Sequence, residues 1–234
     1  MITISISSYN QAEYLPEAIV SALLQNCPVI VVDDGSTDNS LEIAHQYEMK
    51  YFPRLQIISQ VNKGLSSARN TGLMNCETDY ILFLDVDDIL LPNCVEKILE
   101  KINETNADVI GLSFKEFGLR DTIISLMPNP TIEDFKVGNR IGYCSAIKRE
   151  VLLECGGYSP RMTTGYEDYH LWFDLLSRGK KITTIPEILW LYRTKEKSMI
   201  HEAQAHHIEL MTQIAKDFPN IFPEVVEIKT PLPI

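Results

Sequence analysis

Residues 80–84, YILFL, form an apolar run that ends in Asp85, Asp87 and Asp88, three carboxylates in four positions. At the mouth of a buried strand such charges repel one another and lose hydration, so something must compensate them. Helix capping is the simplest compensation for an aspartate. Pro92, however, favours the first helical position and moves the cap to about Leu91, which leaves Asp85 and Asp87 too far upstream. Asp88 is read equally well as the cap of a small turn over 89–91. A divalent cation answers the other two, because Mg²⁺ or Mn²⁺ takes one or two carboxylates and completes its shell with water and phosphate oxygens. Two further groups suit a nucleotide. Tyr9, in SSYN, offers an aromatic face for a base, and Asp34, in DDGSTD, offers an acceptor for an N–H. Neither GxGxxG nor GxxxxGK[ST] occurs, so a diphosphate would depend on metal and on placed cations. Lys63, Arg69, Arg193, Lys195 and Lys197 are the candidates by position.

Strands and helices must alternate to bring these groups together. Residues 2–7, 28–33, 55–59 and 80–84 read as strands rich in β-branched residues. Helical spacing runs over 11–25, 39–48 and 65–75, and again from Pro92 to about 103. Strands buried on both faces and separated by helices predict an α/β fold, a mostly parallel doubly wound sheet with helices on both faces. Ligands of such sheets bind beyond the carboxyl ends of the strands, where SSYN, DDGSTD and DVDD all fall. The second half is less regular. Strands are expected at 108–117 and 122–125, forming a hairpin, and an apolar segment at 143–148. A loop carries Pro128 and Pro130, and a short helix stops at Gly156-Gly157. Helix 166–177, strands 182–184 and 188–192 and a C-terminal helix 201–217 follow. One domain over 1–218 is expected, with a nucleotide-binding half (about 1–105), an acceptor-side half (about 106–200) and an irregular tail over 219–234.

A formal charge of −11 on 234 residues argues against nucleic-acid binding and against docking to anionic lipid by charge. No apolar run reaches the roughly 20 residues of a spanning helix, and MITISISSYNQ lacks the pattern of a signal peptide. The five cysteines are scattered and never spaced CxxC, which suits reduced thiols in a cytoplasmic protein better than disulfides or zinc.

Six segments in order, ISSYNQAEYLPEAIVSALLQ, VIVVDDGSTDNSLEIA, NKGLSSARNTGL, FLDVDD, GYEDYHLWFDLL and LYR, resemble family 2 glycosyltransferases of the GT-A fold over about residues 2–198. The resemblance implies inverting transfer of a sugar from a nucleotide-sugar, most often a UDP-sugar, to an acceptor hydroxyl. The donor is then a nucleotide-sugar, the acceptor a saccharide or lipid-linked saccharide, and the cofactor Mn²⁺ or Mg²⁺. A lipid-linked acceptor would require peripheral membrane association. By position, Ser7 and Tyr9 would line the base pocket, Asp34 would bind the base edge, and Arg69 would sit beside the nucleotide and the aspartates. Asp85 would contact ribose and Asp87 would ligate the metal. Asp168 would be the catalytic base, although Glu167 and Asp168 also suit the positive end of their helix. Trp172, one turn on, is open between an acceptor platform beside Glu167 and core packing. His201, His206 and His207 read as surface or interface residues.

One departure stands out. Where the family often places a histidine after YR, this chain has Lys195. Either its ammonium neutralises the diphosphate beside a metal on Asp87, with Arg193 and Lys197 completing a basic arm, or metal dependence is weakened; the first is the expectation. A sugar nucleotidyltransferase is the alternative enzyme, though SSYNQAEYL lacks its glycine-rich basic loop. A non-catalytic nucleotide-binding member is the other.

Overall fold

The computed structural model describes residues 1–196 and 198–223. Lys197 and the tail from 224 lie outside the described residues. The first half runs β1 (Ile2–Ser8), α1 (Leu15–Leu23), β2 (Val29–Asp33), α2 (Ser40–Tyr51), β3 (Leu55–Ser59), α3 (Leu65–Asn75), β4 (Tyr80–Asp85), β5 (Ile89–Leu90) and α4 (Cys94–Thr105). Then come β6 (Val109–Gly118), β7 (Ile123–Ile124), α5 (Ile132–Val137), β8 (Ser145–Lys148), α6 (Arg149–Glu154), α7 (Glu167–Ser177), β9 (Ile182–Thr194), α8 (Met199–Ala205) and α9 (His207–Asp217).

These strands make one sheet in the order β3-β2-β1-β4-β8-β6-β9-β5, with β7 paired to β6. Strands β1 to β4 are mutually parallel, whereas β8 runs antiparallel to both β4 and β6. The N-terminal half is therefore the expected doubly wound unit, and the C-terminal half is mixed. Each face of the sheet has its own core. Ile2, Ile4 and Ile6 of β1 join α1 and α4 on one side, while Ile81 and Phe83 of β4 join α6, α7 and α9 on the other. Thr3, Ser5 and Ser7 alternate with those isoleucines because α3 packs tightly over β1. A Cβ on Gly72 of α3 would come 2.0 Å from Ser5 Oγ, so both positions must stay small.

Several boundaries differ from the sequence expectation for identifiable reasons. The two strands expected near 182–192 are one, β9, because Pro186 is expelled into a bulge while pairing with β6 continues on either side. The C-terminal helix breaks at His206 into α8 and α9. The proline loop holds a short helix, α5, signalled by a reciprocal capping box between Thr131 and Asp134. Helix α4 starts two residues beyond Pro92, after Asn93 in a left-handed conformation (φ 64°). The intended turn at 89–91 is instead β5, paired with Trp190 and Leu191.

Candidate functional site

A cavity of about 380 Å³ opens at the carboxyl ends of β1, β2 and β4, where the strand order reverses between β1 and β4. Pairing sets Ser7 beside Asp85 and Ser8 beside Asp33. Ser7 is buried and its Oγ has no protein partner, so a donor is left facing the cavity. Tyr9 lines the same cavity and is 46% exposed. The Asp34 carboxylate accepts from Gln60 Nε2 (2.7 Å) and from the backbone N–H groups of Lys63 (2.9 Å) and Gly64 (2.8 Å). Three of roughly four acceptor positions are thus taken, leaving one for a base N–H. Its main structural work is to fold loop 60–64 against the cavity, which also brings in Asn62.

The three aspartates each have a different partner. Asp85 Oδ1 accepts from Arg69 (2.9 Å), Asp87 Oδ2 pairs with Lys195 Nζ (2.5 Å), and Asp88 accepts from the Arg193 backbone N–H (2.7 Å) and the Tyr143 hydroxyl. Burial pushes the Asp85 carboxyl up to about 6, against the pull of Arg69. Burial, with the charges of Asp87 and Asp85, also raises Asp88 well above the carboxylate range. Asp88 is therefore a tie between the end of β4 and β9, and caps no turn.

Arg69 is wholly buried between the Tyr143 and Tyr158 rings (4.7 and 5.1 Å to their centres) and bridges Asp85 to Glu167 Oε1 (2.6 Å). It does not line the cavity, so the expected direct contact with nucleotide is corrected: Arg69 reaches the cavity only through its pair with Asp85. Glu167 is likewise corrected. Its carboxylate is spent on Arg69 in the interior and does not face an acceptor. Arg193 borders the cavity, but its guanidinium lies between the Tyr14 and Phe117 rings and donates to the Asp87 backbone oxygen (2.8 Å) and Glu17 (2.6 Å). It braces the Asp87 loop instead of forming an arm over a pyrophosphate. Lys63 contributes a backbone N–H rather than a charge.

Asp168 stands at the start of α7, after Gly165 and Tyr166, both at positive φ (127° and 60°). A left-handed tyrosine is strained by about 1–3 kcal/mol. Its hydroxyl pairs with His207 Nδ1 (2.9 Å), so this histidine, expected at the surface, is a half-buried anchor for the turn. Asp168 Oδ2 accepts from Asn139 Nδ2 (3.0 Å). Burial and the adjacent Glu167 charge push its carboxyl up to about 7, against Arg69, the Tyr169 N–H and Asn139. A half-buried carboxylate with that affinity for protons suits a general base. Trp172 is corrected to core: it is 0% exposed among the residues of α7 and α9 and cannot be a platform. Asn139, Gln11 and Tyr192, which the sequence reading passed over, complete the surroundings. Gln11 and Tyr192 line the cavity, and Tyr192 lies in the field of Asp88, Asp85, Asp87 and Asp168.

Among the described residues no group of three or more His, Cys, Asp or Glu side chains converges to hold a metal. A divalent ion would rest on Asp87 as its protein carboxylate, with phosphate and water supplying the rest, which is a set that Mg²⁺ or Mn²⁺ accepts. The fit has one condition. With Lys195 in place, a 2+ charge about 4 Å from its ammonium would be opposed by on the order of 8 kcal/mol at an effective dielectric of 20.

Comparison with known proteins follows the same outline. The family described as Glycosyl transferase family 2 matches residues 3–163. The glycosyltransferase GlyG of Streptococcus pneumoniae serotype 4 is 28% identical over 223 residues, covering 86% of this chain and 73% of GlyG. GlyA of the same organism is 42% identical over 120 residues, half of this chain but only 17% of GlyA. Among solved structures, S. aureus TarS 1–349 in complex with UDP-GlcNAc superposes with a TM-score of 0.78 at 21% identity, over 94% of this chain and 66% of that one. The mannosyltransferase PcManGT from Pyrobaculum calidifontis, in complex with GDP-Man and Mn²⁺, gives 0.71 at 16%, over 94% and 64%. The chain thus spans about two-thirds of the solved structures and much less of some relatives.

Proposed function

Because the chain belongs to glycosyl transferase family 2, we propose that it performs inverting transfer from a nucleotide-sugar, a UDP-sugar first, to the hydroxyl of a saccharide or lipid-linked saccharide. Construction of a cell-surface polysaccharide or glycolipid is the role this suggests. Membership in a glycosyltransferase family sets the nucleotidyltransferase alternative aside. The observation that carries the proposal is one line of ionisable groups joined through the buried Arg69. It runs from Asp85 at the cavity, through Arg69, to Glu167 and the neighbouring Asp168.

In this reading the base stacks on Tyr9 and gives an N–H to the free position on Asp34, while Ser7 and Asp85 meet the nucleoside. Asp168 orients the acceptor hydroxyl and takes its proton. The hydroxyl oxygen bonds to the anomeric carbon from the face opposite the diphosphate, and the bond from that carbon to the diphosphate oxygen breaks. A single displacement inverts the anomeric centre. Base assistance of this kind contributes about 10²–10⁴-fold. Asp87 would hold a divalent cation, which when bound would supply positive charge to offset the departing diphosphate. Arg69 keeps Asp85 and Glu167 at fixed separation, and Arg193 keeps the Asp87 backbone in place.

No helix among the described residues is long and apolar enough to cross a membrane. For a lipid-linked acceptor this reading takes peripheral association as the mode of access, and the free thiols fit a cytoplasmic setting. The test is UDP release from a panel of UDP-sugars with saccharide acceptors, with and without Mn²⁺. Release that depends on both sugar and acceptor is expected. Absence of binding by any nucleotide-sugar in either condition would overturn the proposal.

A further inference from the structure

Among the described residues, Lys195 is held differently from the other cations at the site. Its ammonium lies 2.5 Å from Asp87 Oδ2 and 2.9 Å from Gln11 Oε1, and 5.0 Å from the centre of the Tyr14 ring. Two of its three N–H donors are therefore engaged among the described residues. The partners of the neighbouring aspartates cannot leave. Arg69 is sealed in the interior beneath Asp85, and Asp88 is bound by a buried tyrosine and a strand N–H. The Lys195 side chain, by contrast, is 25% exposed at the cavity wall. Its four-carbon stem can swing while its backbone stays anchored, because Thr194 beside it is bonded to Phe117, Leu119 and Arg120.

The Asp87 carboxylate is also the one on which a divalent ion would rest, and an ammonium and a divalent ion cannot share it cheaply. We infer that Lys195 holds the place of the divalent cation on Asp87 in the empty enzyme and passes to the donor's diphosphate when the cation arrives. This rests on the reading of the cavity as a nucleotide-sugar site. A cation arriving alone must displace the ammonium with no new anion to receive it. With a diphosphate present, the released ammonium gains a partner. Cation and nucleotide are then bound as a coupled pair, and the coupling is reciprocal: each raises the affinity for the other by the same factor. A lysine in this place, where a metal-ligating side chain would merely add a donor, gives the site an empty state with its charge already satisfied.

The test compares the whole chain with Lys195→Met, which keeps an aliphatic side chain and removes the charge. Binding of Mn²⁺ alone is measured by electron paramagnetic resonance, and UDP or GDP binding by calorimetry with and without Mn²⁺. In the variant, Mn²⁺ alone should bind about tenfold more tightly, and UDP in the presence of Mn²⁺ about tenfold more weakly, the scale of one charge-assisted hydrogen bond. Opposite signs in the two measurements are the signature. If Mn²⁺ affinity is unchanged or weaker, the inference is overturned while the donor assignment stands. If the gain in Mn²⁺ affinity survives in Lys195→Met combined with Asp87→Asn, the cation is not on Asp87 and the inference is again overturned. If the wild-type chain binds neither UDP nor GDP under any condition, the donor assignment fails and this inference with it.

Discussion

Asn139→Ala should move the pH dependence of the reaction without changing its maximum. As the proposed base, Asp168 would act only when ionised, so kcat/KM should rise with pH through about 7 and level off above it. Asn139 donates to Asp168 Oδ2 at 3.0 Å and favours the ionised form. A hydrogen bond to a charged acceptor contributes about 1.5–3 kcal/mol, and Asn139 is exposed, so the lower end applies. That is roughly one pKa unit at 1.36 kcal/mol per unit. In the variant the limb should therefore centre near 8. At pH 7 the ionised fraction falls from about half to about a tenth, a loss of roughly fivefold in kcat/KM, and above pH 9 the two curves should converge. The assay is UDP release at limiting acceptor across pH 5.5–9.5, because kcat/KM reports the free enzyme. A uniform loss at every pH would mean that Asn139 merely shapes the acceptor loop. A limb that stays at its wild-type position would refute the assignment of that limb to Asp168.

Three further outcomes follow from the same contacts. Asp168→Asn should lower turnover by about 10²–10⁴-fold while leaving calorimetric UDP affinity within a factor of about two. Its melting temperature at pH 8 should be no lower than wild type. Ionisation of Asp168 is held up to about 7 in the folded chain, so its contribution to stability is lost as pH rises from the unfolded value near 4 through 7. A melting temperature lowered at pH 8 would contradict that sign. Arg69→Met should cost about 3–5 kcal/mol by denaturant titration at pH 8, and less at pH 5.5. Asp85, already pushed up to about 6, can then take a proton in place of its lost partner. An equal loss at both pH values would show that the rings around Arg69, rather than its charge, set the cost. Trp172→Ala should cost about 3–5 kcal/mol, whereas Trp172→Phe should fold with acceptor KM unaltered. An acceptor KM raised severalfold in the folded Phe variant would restore the platform reading.

What the sequence showed and concealed divides along one physical line, the difference between where a residue falls and which way it faces. Strands β1 to β4 were legible because β-branched runs ending in turn residues specify both the strand and its carboxyl end, and the cavity forms at those ends. Loop 126–142 was not, because its helix is six residues long, too short for periodicity, and only the Thr131–Asp134 capping box marks it. That is also where Asn139 was hidden. Arg69, Arg193 and Lys195 do meet the aspartates in space, the last two from far along the chain, but nothing in spacing says whether a side chain enters the cavity or the core. Arg69 shares α3 with Ala68 and Gly72, the face packed against the sheet, so it points inward. Arg193, still within β9, is caught between the Tyr14 and Phe117 rings.

The same distinction resolves the cluster at the end of β4. Mutual repulsion among Asp85, Asp87 and Asp88 was a sound reason to require positive charge nearby, but it set no limit on where that charge comes from. The fold supplies much of it internally, from α3 for Asp85 and from beyond β9 for Asp87, while Asp88 is held by neutral donors. Repulsion alone therefore does not argue for a metal. What argues for one is that the Asp87 partner, unlike the others, is a flexible ammonium at the cavity wall, and a carboxylate whose counter-charge can leave is the one able to receive a cation. The pairing that looks at first like a blocked metal site is, on this reasoning, the feature that lets the site open only when a diphosphate is there to receive Lys195.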